Sequence, residues 1–262
     1  MGAGPRGKTT KRLTLVQLIP NMLTIAAICA GLSAIRFAVQ ENFVLAVQLI
    51  VVASILDGLD GRMARLLNSD SKMGAELDSL ADFLNFGVAS PLILYFWALQ
   101  DMGNLGWLSV LVFTICCVMR LARFNVSSKA DIDPASEDEA QTPSGAYFTG
   151  VPSPAGALLV LFPMFVVFGF PEVTLPPDLV ICAYVMLIGW LMISRIPTWS
   201  FKTTRVSRGN VKYFLLAFAF VVAALFYYAW ITLAVLCLLY VVMVLWHLAF
   251  GRHRGGGAKK GA

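Results

Sequence analysis

"DGLDGRMARLLNSDSKMGAELDSLAD", residues 57–82, carries six of the chain's fifteen acidic residues. It nevertheless lies between two long apolar runs. Asp57, Asp60 and Ala64 are spaced i, i+3 and i+7, so they share one helix face. Gly61 and Arg65 lie beside that face. Gly74, Asp78 and Asp82 are spaced i, i+4 and i+8 and form a second stripe. The link "LNSDSK" (67–72) is short, which makes the two helices antiparallel neighbours. Their stripes can then face each other and bring four carboxylates together.

Carboxylates gathered out of water repel strongly. A divalent cation relieves that repulsion. Ligation by oxygen alone suits Mg²⁺ or Mn²⁺, whereas zinc would call for His or Cys. Two such ions held by shared carboxylates suit chemistry at a phosphoryl group. Gly61, Ala64 and Gly74 would let a ligand approach the backbones closely. Arg65 and Lys72 would suit phosphate oxygens. The plainer alternative makes these acids ordinary edge charges paired with Arg62, Arg65 and Lys72.

Around this stretch the chain is 58% hydrophobic and only 13% charged over its 262 residues. A soluble domain carries about a quarter charged residues. Several apolar runs reach the ~18 residues needed to cross hydrocarbon as a helix. The fold class is therefore all-α and polytopic in a membrane, with eight transmembrane helices expected. They fall near 15–36, 43–63, 75–99, 105–125, 151–170, 178–196, 211–229 and 231–250. A tight hairpin near Trp230 splits the last apolar stretch. The basic N-terminus lacks a clear cleavage site and reads as a cytoplasmic tail. The segment 127–145 reads as a polar loop. Cys29, Cys116, Cys117, Cys182 and Cys237 all sit in apolar runs and read as packing residues, with no disulfide framework.

Charge orients the spans. Of twenty Lys and Arg residues, only Arg36 falls on the side opposite both termini. The positive-inside rule places the termini, and the acidic stretch, on the cytoplasmic side. The net charge of +5 then suits anionic headgroups of the inner leaflet, and nothing points to nucleic acid. Arg195, Lys202, Arg205 and Arg208 read as topology determinants or lipid-phosphate contacts. His247 and His253 have no partner pattern. "GRHRGGGAKKGA" (251–262) reads as a basic tail.

The spacing Asp57-x2-Asp60-Gly61-x2-Ala64-Arg65-x8-Gly74-x3-Asp78-x3-Asp82 resembles the signature of the CDP-alcohol phosphotransferases at every position. The resemblance covers spans 1 to 6. It implies an intramembrane enzyme that transfers a phosphatidyl group from a CDP-linked lipid to an alcohol and releases CMP. It implies a six-helix catalytic core (15–196), with tails at 1–14 and 251–262 and two further helices at 197–250. It implies metal ligation by Asp57, Asp60 and Asp78, with Asp82 completing a second metal site and acting as general base. It implies CDP-lipid contacts from Gly61, Ala64, Arg65, Ser71 and Gly74. "PNMLT" (20–24) resembles the span-1 motif that closes the nucleotide site, which brings in Asn21 unless it is merely a helix cap. Relatives in this family are homodimers.

The acceptor alcohol rests on other stretches. "MRLARFN" (119–125), "YFTGVPSPAGA" (147–157) and "GAELDSLADFLNFGVASP" (74–91) resemble the bacterial and archaeal phosphatidylserine synthases of the family. That implies CDP-diacylglycerol and L-serine as substrates, at the inner membrane. Serine's carboxylate needs a cation, and Arg120 and Arg123 are the candidates. Both could instead be anchors reaching to headgroups. Glycerol 3-phosphate or another polyol is the alternative acceptor. A divalent-cation transporter is the remaining reading, but it leaves the Gly/Ala/Arg positions without a role.

Overall fold

The computed structural model describes residues 18–67, 69, 71–130, 147–149, 151–194, 197–199 and 211–250. Among them are eight helical spans. These are α1 (Ile19–Val39), α2 (Phe43–Leu66), α3 (beginning at Lys72–Asp82 and running on to Met102), α4 (Asn104–Ala130), α5 (Ser153–Gly169), α6 (Asp178–Ile193), α7 (Val211–Tyr227) and α8 (Ala229–Phe250). Five of them, α1 to α4 and α8, are long and apolar enough to cross a bilayer. The other three are apolar helices of 16 or 17 residues. The chain is a polytopic helical membrane protein, as its hydropathy indicates. The expected 1–14 and 251–262 tails, Arg195, Lys202, Arg205, Arg208 and His253 lie outside the described residues, as does the side chain of His247.

Three details depart from the sequence reading. Helix α4 continues to Ala130, so residues 127–130 are helical where a loop is expected. The apolar run marks where hydrocarbon ends, and backbone hydrogen bonds carry the helix on into polar sequence. The break between α7 and α8 falls at Tyr228, two residues before Trp230. Tyr147–Thr149 pairs antiparallel with Pro197–Trp199, with Phe148 opposite Thr198. This short β-ladder has no hydropathy signal.

Helices α1 and α2 form a tight hairpin. Glu41 turns the chain at φ 61°, and Asn42 caps α2 by accepting a hydrogen bond from Leu45 N at 3.3 Å. Helices α3, α4, α5 and α6 pack beside them around Phe86, Phe113, Phe165, Ile93 and Met164, all fully buried. Small residues set the close approaches. A Cβ on Gly31 of α1 would lie 2.0 Å from Oδ1 of Asn85 on α3. On Gly87 of α3 it would lie 3.0 Å from Sγ of Cys117 on α4.

Two prolines interrupt helices in the core, and the same device answers both. Pro91 has no N–H, so it cannot bond the carbonyl four residues earlier, at Gly87. The helix relaxes to π-helical geometry over Phe83–Ala89, and Thr114 Oγ1 of α4 donates to Gly87 O at 2.9 Å. Ser90 Oγ also donates to Asn85 O at 2.9 Å. Pro163 likewise frees Leu159 O in α5. The Tyr184 hydroxyl of α6 donates to it at 2.5 Å. In hydrocarbon, such carbonyls must find partners inside the protein.

Tyr184→Phe should therefore leave Leu159 O unpaired and lower stability by about 1–2 kcal/mol. The measurement is thermal unfolding in detergent. Adding Pro163→Ala restores an N–H for Leu159 O, so the double variant should recover most of the lost midpoint.

Candidate active site

Two helix ends build the site. Asp57 and Asp60 lie in the C-terminal part of α2. Asp78 and Asp82 lie in the first, regular α-helical part of α3. That regularity keeps the i, i+4 stripe intact, because the π-helical stretch begins only at Phe83. Asp57, Asp60 and Asp78 each offer a carboxylate oxygen, all within 4.8 Å of one another. Asp60 is buried, Asp57 half-buried and Asp78 exposed, so the cluster opens on the Asp78 side. Asp82 stands outside this triplet, as an electrostatic neighbour of Asp57.

Helix α1 contributes a residue that the sequence reading quotes but does not single out. Thr24 Oγ1 donates to Asp60 Oδ2 at 2.6 Å, and it also lies 3.1 Å from Pro20 O. Thr24 is 3% exposed. A hydrogen bond to a charged partner contributes about 1.5–3 kcal/mol, so Thr24 fixes which way Asp60 faces. Within "PNMLT" the asparagine drew attention. The threonine one helical turn after Pro20 is the residue that touches the acids.

The positions expected to contact CDP fall into two groups. Ser71 caps α3, its Oγ accepting from Gly74 N at 2.9 Å. A Cβ on Gly74 would meet Asn21 Oδ1 at 3.0 Å and Ser71 Oγ at 3.1 Å. Asn21, Ser71 and Gly74 are thus together where α1 and α3 begin. Gly61, Ala64 and Arg65 continue the face of α2. Arg65 is exposed, and its Nε donates to Gly61 O at 3.0 Å. A Cβ on Gly61 would meet nothing within 4 Å among the described residues.

The two candidate acceptor arginines differ. Arg120 is half-buried, donates from Nη1 to the fully buried Ser153 Oγ, and is an electrostatic neighbour of Asp82. Arg123 is exposed and donates from Nη1 to Ile193 O at 3.1 Å. It holds the C-terminal carbonyl of α6, a common role for a cation at a helix end. Ser79, next to Asp78, donates to Asn125 Oδ1 at 3.1 Å and ties α3 to α4. Neither Ser153 nor Ser79 carries a sequence signal beyond its neighbourhood.

The donor set fits a hard divalent cation. It is all oxygen and it converges. Oδ1 of Asp57, Asp60 and Asp82 is buried with no hydrogen-bond partner among the described residues. Buried carboxylate oxygens are normally satisfied, and a cation is the partner that suits several at once.

Residues 17–195 match the family model described as CDP-alcohol phosphatidyltransferase. This stretch runs from the start of α1 to the end of α6. A relative from Mycobacterium leprae, named CDP-diacylglycerol--serine O-phosphatidyltransferase, is 37% identical over 246 residues, 93% of this chain and 77% of its own length. A Helicobacter pylori (strain 26695) protein of the same name is 38% identical over 78% of this chain and 79% of its own. One from Mycobacterium tuberculosis (strain H37Rv) is 44% identical over 60% of this chain and 51% of its own. With three of its four signature acids gathered within 4.8 Å and the family model matching α1 to α6, this chain belongs to the CDP-alcohol phosphatidyltransferase family.

Proposed function

We propose that the protein transfers the phosphatidyl group of CDP-diacylglycerol to L-serine, yielding phosphatidylserine and CMP. The observation that carries this reading is the convergence of Asp57, Asp60 and Asp78 within 4.8 Å. The names of the relatives from M. leprae and H. pylori support serine as the acceptor. So does the presence of Arg120 as an electrostatic neighbour of Asp82.

Asp57, Asp60 and Asp78 would hold divalent cations, Mg²⁺ or Mn²⁺, with Asp82 completing a second position. Two such ions, when bound, would neutralise the diphosphate and stabilise departing CMP. The remaining roles belong to side chains. Asn21, Ser71 and Gly74 on one side, and Gly61, Ala64 and Arg65 on the other, receive the CDP moiety. Arg120 receives the serine carboxylate. Asp82 accepts the proton of the serine hydroxyl as its oxygen bonds to the β-phosphorus. The bond from that phosphorus to the oxygen bridging to CMP breaks, and CMP leaves with the electron pair. Arg123 is better read as a clamp on α6 than as an acceptor ligand.

The same reading puts the site and both termini on the cytoplasmic face of the inner membrane, since nineteen of the twenty basic residues fall there. Polar nucleotide and serine then enter from water while acyl chains stay in lipid. The catalytic core is proposed as 15–196, in line with the matched 17–195. Residues 197–250 add two helices, flanking tails occupy 1–14 and 251–262, and the working unit is a homodimer.

The test is CMP release from CDP-diacylglycerol by purified protein with Mg²⁺ or Mn²⁺. Release is expected with L-serine, not with glycerol 3-phosphate, and should stop on chelation. Release with glycerol 3-phosphate instead would move the protein to the polyol branch. Asp82→Asn should lower turnover by about 10²–10⁴-fold, measured as kcat at saturating substrates. Thr24→Val should weaken divalent-cation affinity about 10–100-fold, read from the metal dependence of turnover, with little change in kcat at saturating metal.

A further inference from the structure

The two helices beyond the family match are placed to do more than anchor the chain. Helix α8 packs along α5. Tyr240 on α8 lines an apolar cavity of about 130 Å³, together with Ala155, Leu158 and Leu159 of α5 and Leu233, Leu236 and Cys237 of α8. Tyr240 Oη is buried and has no hydrogen-bond partner among the described residues. A buried phenol hydroxyl normally finds one.

Arg120 is the charged neighbour of that hydroxyl. Its Nη1 is already committed to Ser153, the first residue of α5. An arginine has five N–H donors and no acceptor, so further donors remain after that bond. The Arg120 guanidinium thus has both the Tyr240 hydroxyl and the Asp82 carboxyl as electrostatic neighbours. Two kinds of donor beside one proton acceptor match a molecule with a carboxylate at one end and a hydroxyl at the other.

We propose that Tyr240 is part of the acceptor site, where its hydroxyl donates to the serine carboxylate beside Arg120, and so helps α8 set the choice of alcohol. Ser153 is the positioning residue that holds Arg120 for this contact. The inference rests on the serine reading above and deepens it.

Tyr240→Phe keeps the ring that lines the cavity and removes only the hydroxyl. The expected result is a rise of about tenfold or more in KM for L-serine, with KM for CDP-diacylglycerol and the metal dependence unchanged. Ethanolamine lacks the carboxylate, so the preference for serine over ethanolamine should fall by the same factor. An unchanged serine KM would overturn the proposal. So would a rise confined to CDP-diacylglycerol, which would make the hydroxyl a lipid contact and the cavity an acyl-chain site. If wild-type protein releases no CMP with serine, the serine reading fails first and takes this proposal with it. If wild type uses serine and Tyr240→Phe does so equally well, only the proposal fails.

Discussion

Carboxylates repel, and three of them here have oxygens within 4.8 Å of one another at the end of a membrane-embedded helix pair. Nothing in α2 or α3 alone would tolerate that. The cluster persists because the surrounding helices leave it little freedom. Helix α1 bonds Asp60 through Thr24. Its Gly31 lets α3 approach close enough for Asn85 to lie against the α1 backbone. The repulsion left over is an affinity for cations. Among the described residues, the buried Oδ1 atoms of Asp57, Asp60 and Asp82 have no hydrogen-bond partner, which leaves them free to accept a cation.

The acids were legible because chemistry and period coincide in them. Asp57, Asp60, Asp78 and Asp82 all lie in regular α-helix, so residue spacing translates directly into a shared face. Past Asp82 that translation fails. Pro91 drives the preceding turns into π-helical geometry, and no 3.6-residue pattern describes where Asn85 points. The spans were legible because hydrocarbon demands apolar length. The β-ladder of Tyr147–Thr149 and Pro197–Trp199 was not, since two segments fifty residues apart advertise no pairing. Thr24 and Ser153 act through partners on other helices, Tyr240 neighbours Arg120 of α4, and one chain's sequence does not state such contacts.

Arg120 and Arg123 show the same limit more sharply. In the sequence they are equivalent, one turn apart on a basic helix end. In the fold, Arg123 bonds the terminal carbonyl of α6, while Arg120 turns inward to Ser153 and Asp82. Burial decides between them. A half-buried guanidinium beside an acid has little solvent to compete for its donors, so its choice of partner matters more than that of an exposed one.

The hydrogen bonds that answer the two prolines also bear on the site. Side-chain hydrogen bonds between membrane helices contribute modestly, roughly 0.6–2 kcal/mol each, so their larger consequence is register. Thr114 to Gly87 O fixes α4 against α3, and with it Arg120 against Asp82. Ser79 to Asn125 pins the same pair of helices nearer the acids. Tyr184 to Leu159 O fixes α6 against α5, whose first residue, Ser153, holds Arg120. Cys237 Sγ contacts Leu158 O at 3.7 Å and sets α8 three residues before Tyr240. A slip of one residue at any of these contacts would turn a site side chain by about 100° around its helix. The polar contacts inside the apolar bundle therefore do for Arg120 and Tyr240 what the regular helix does for the four aspartates. They turn positions in sequence into neighbours in the fold.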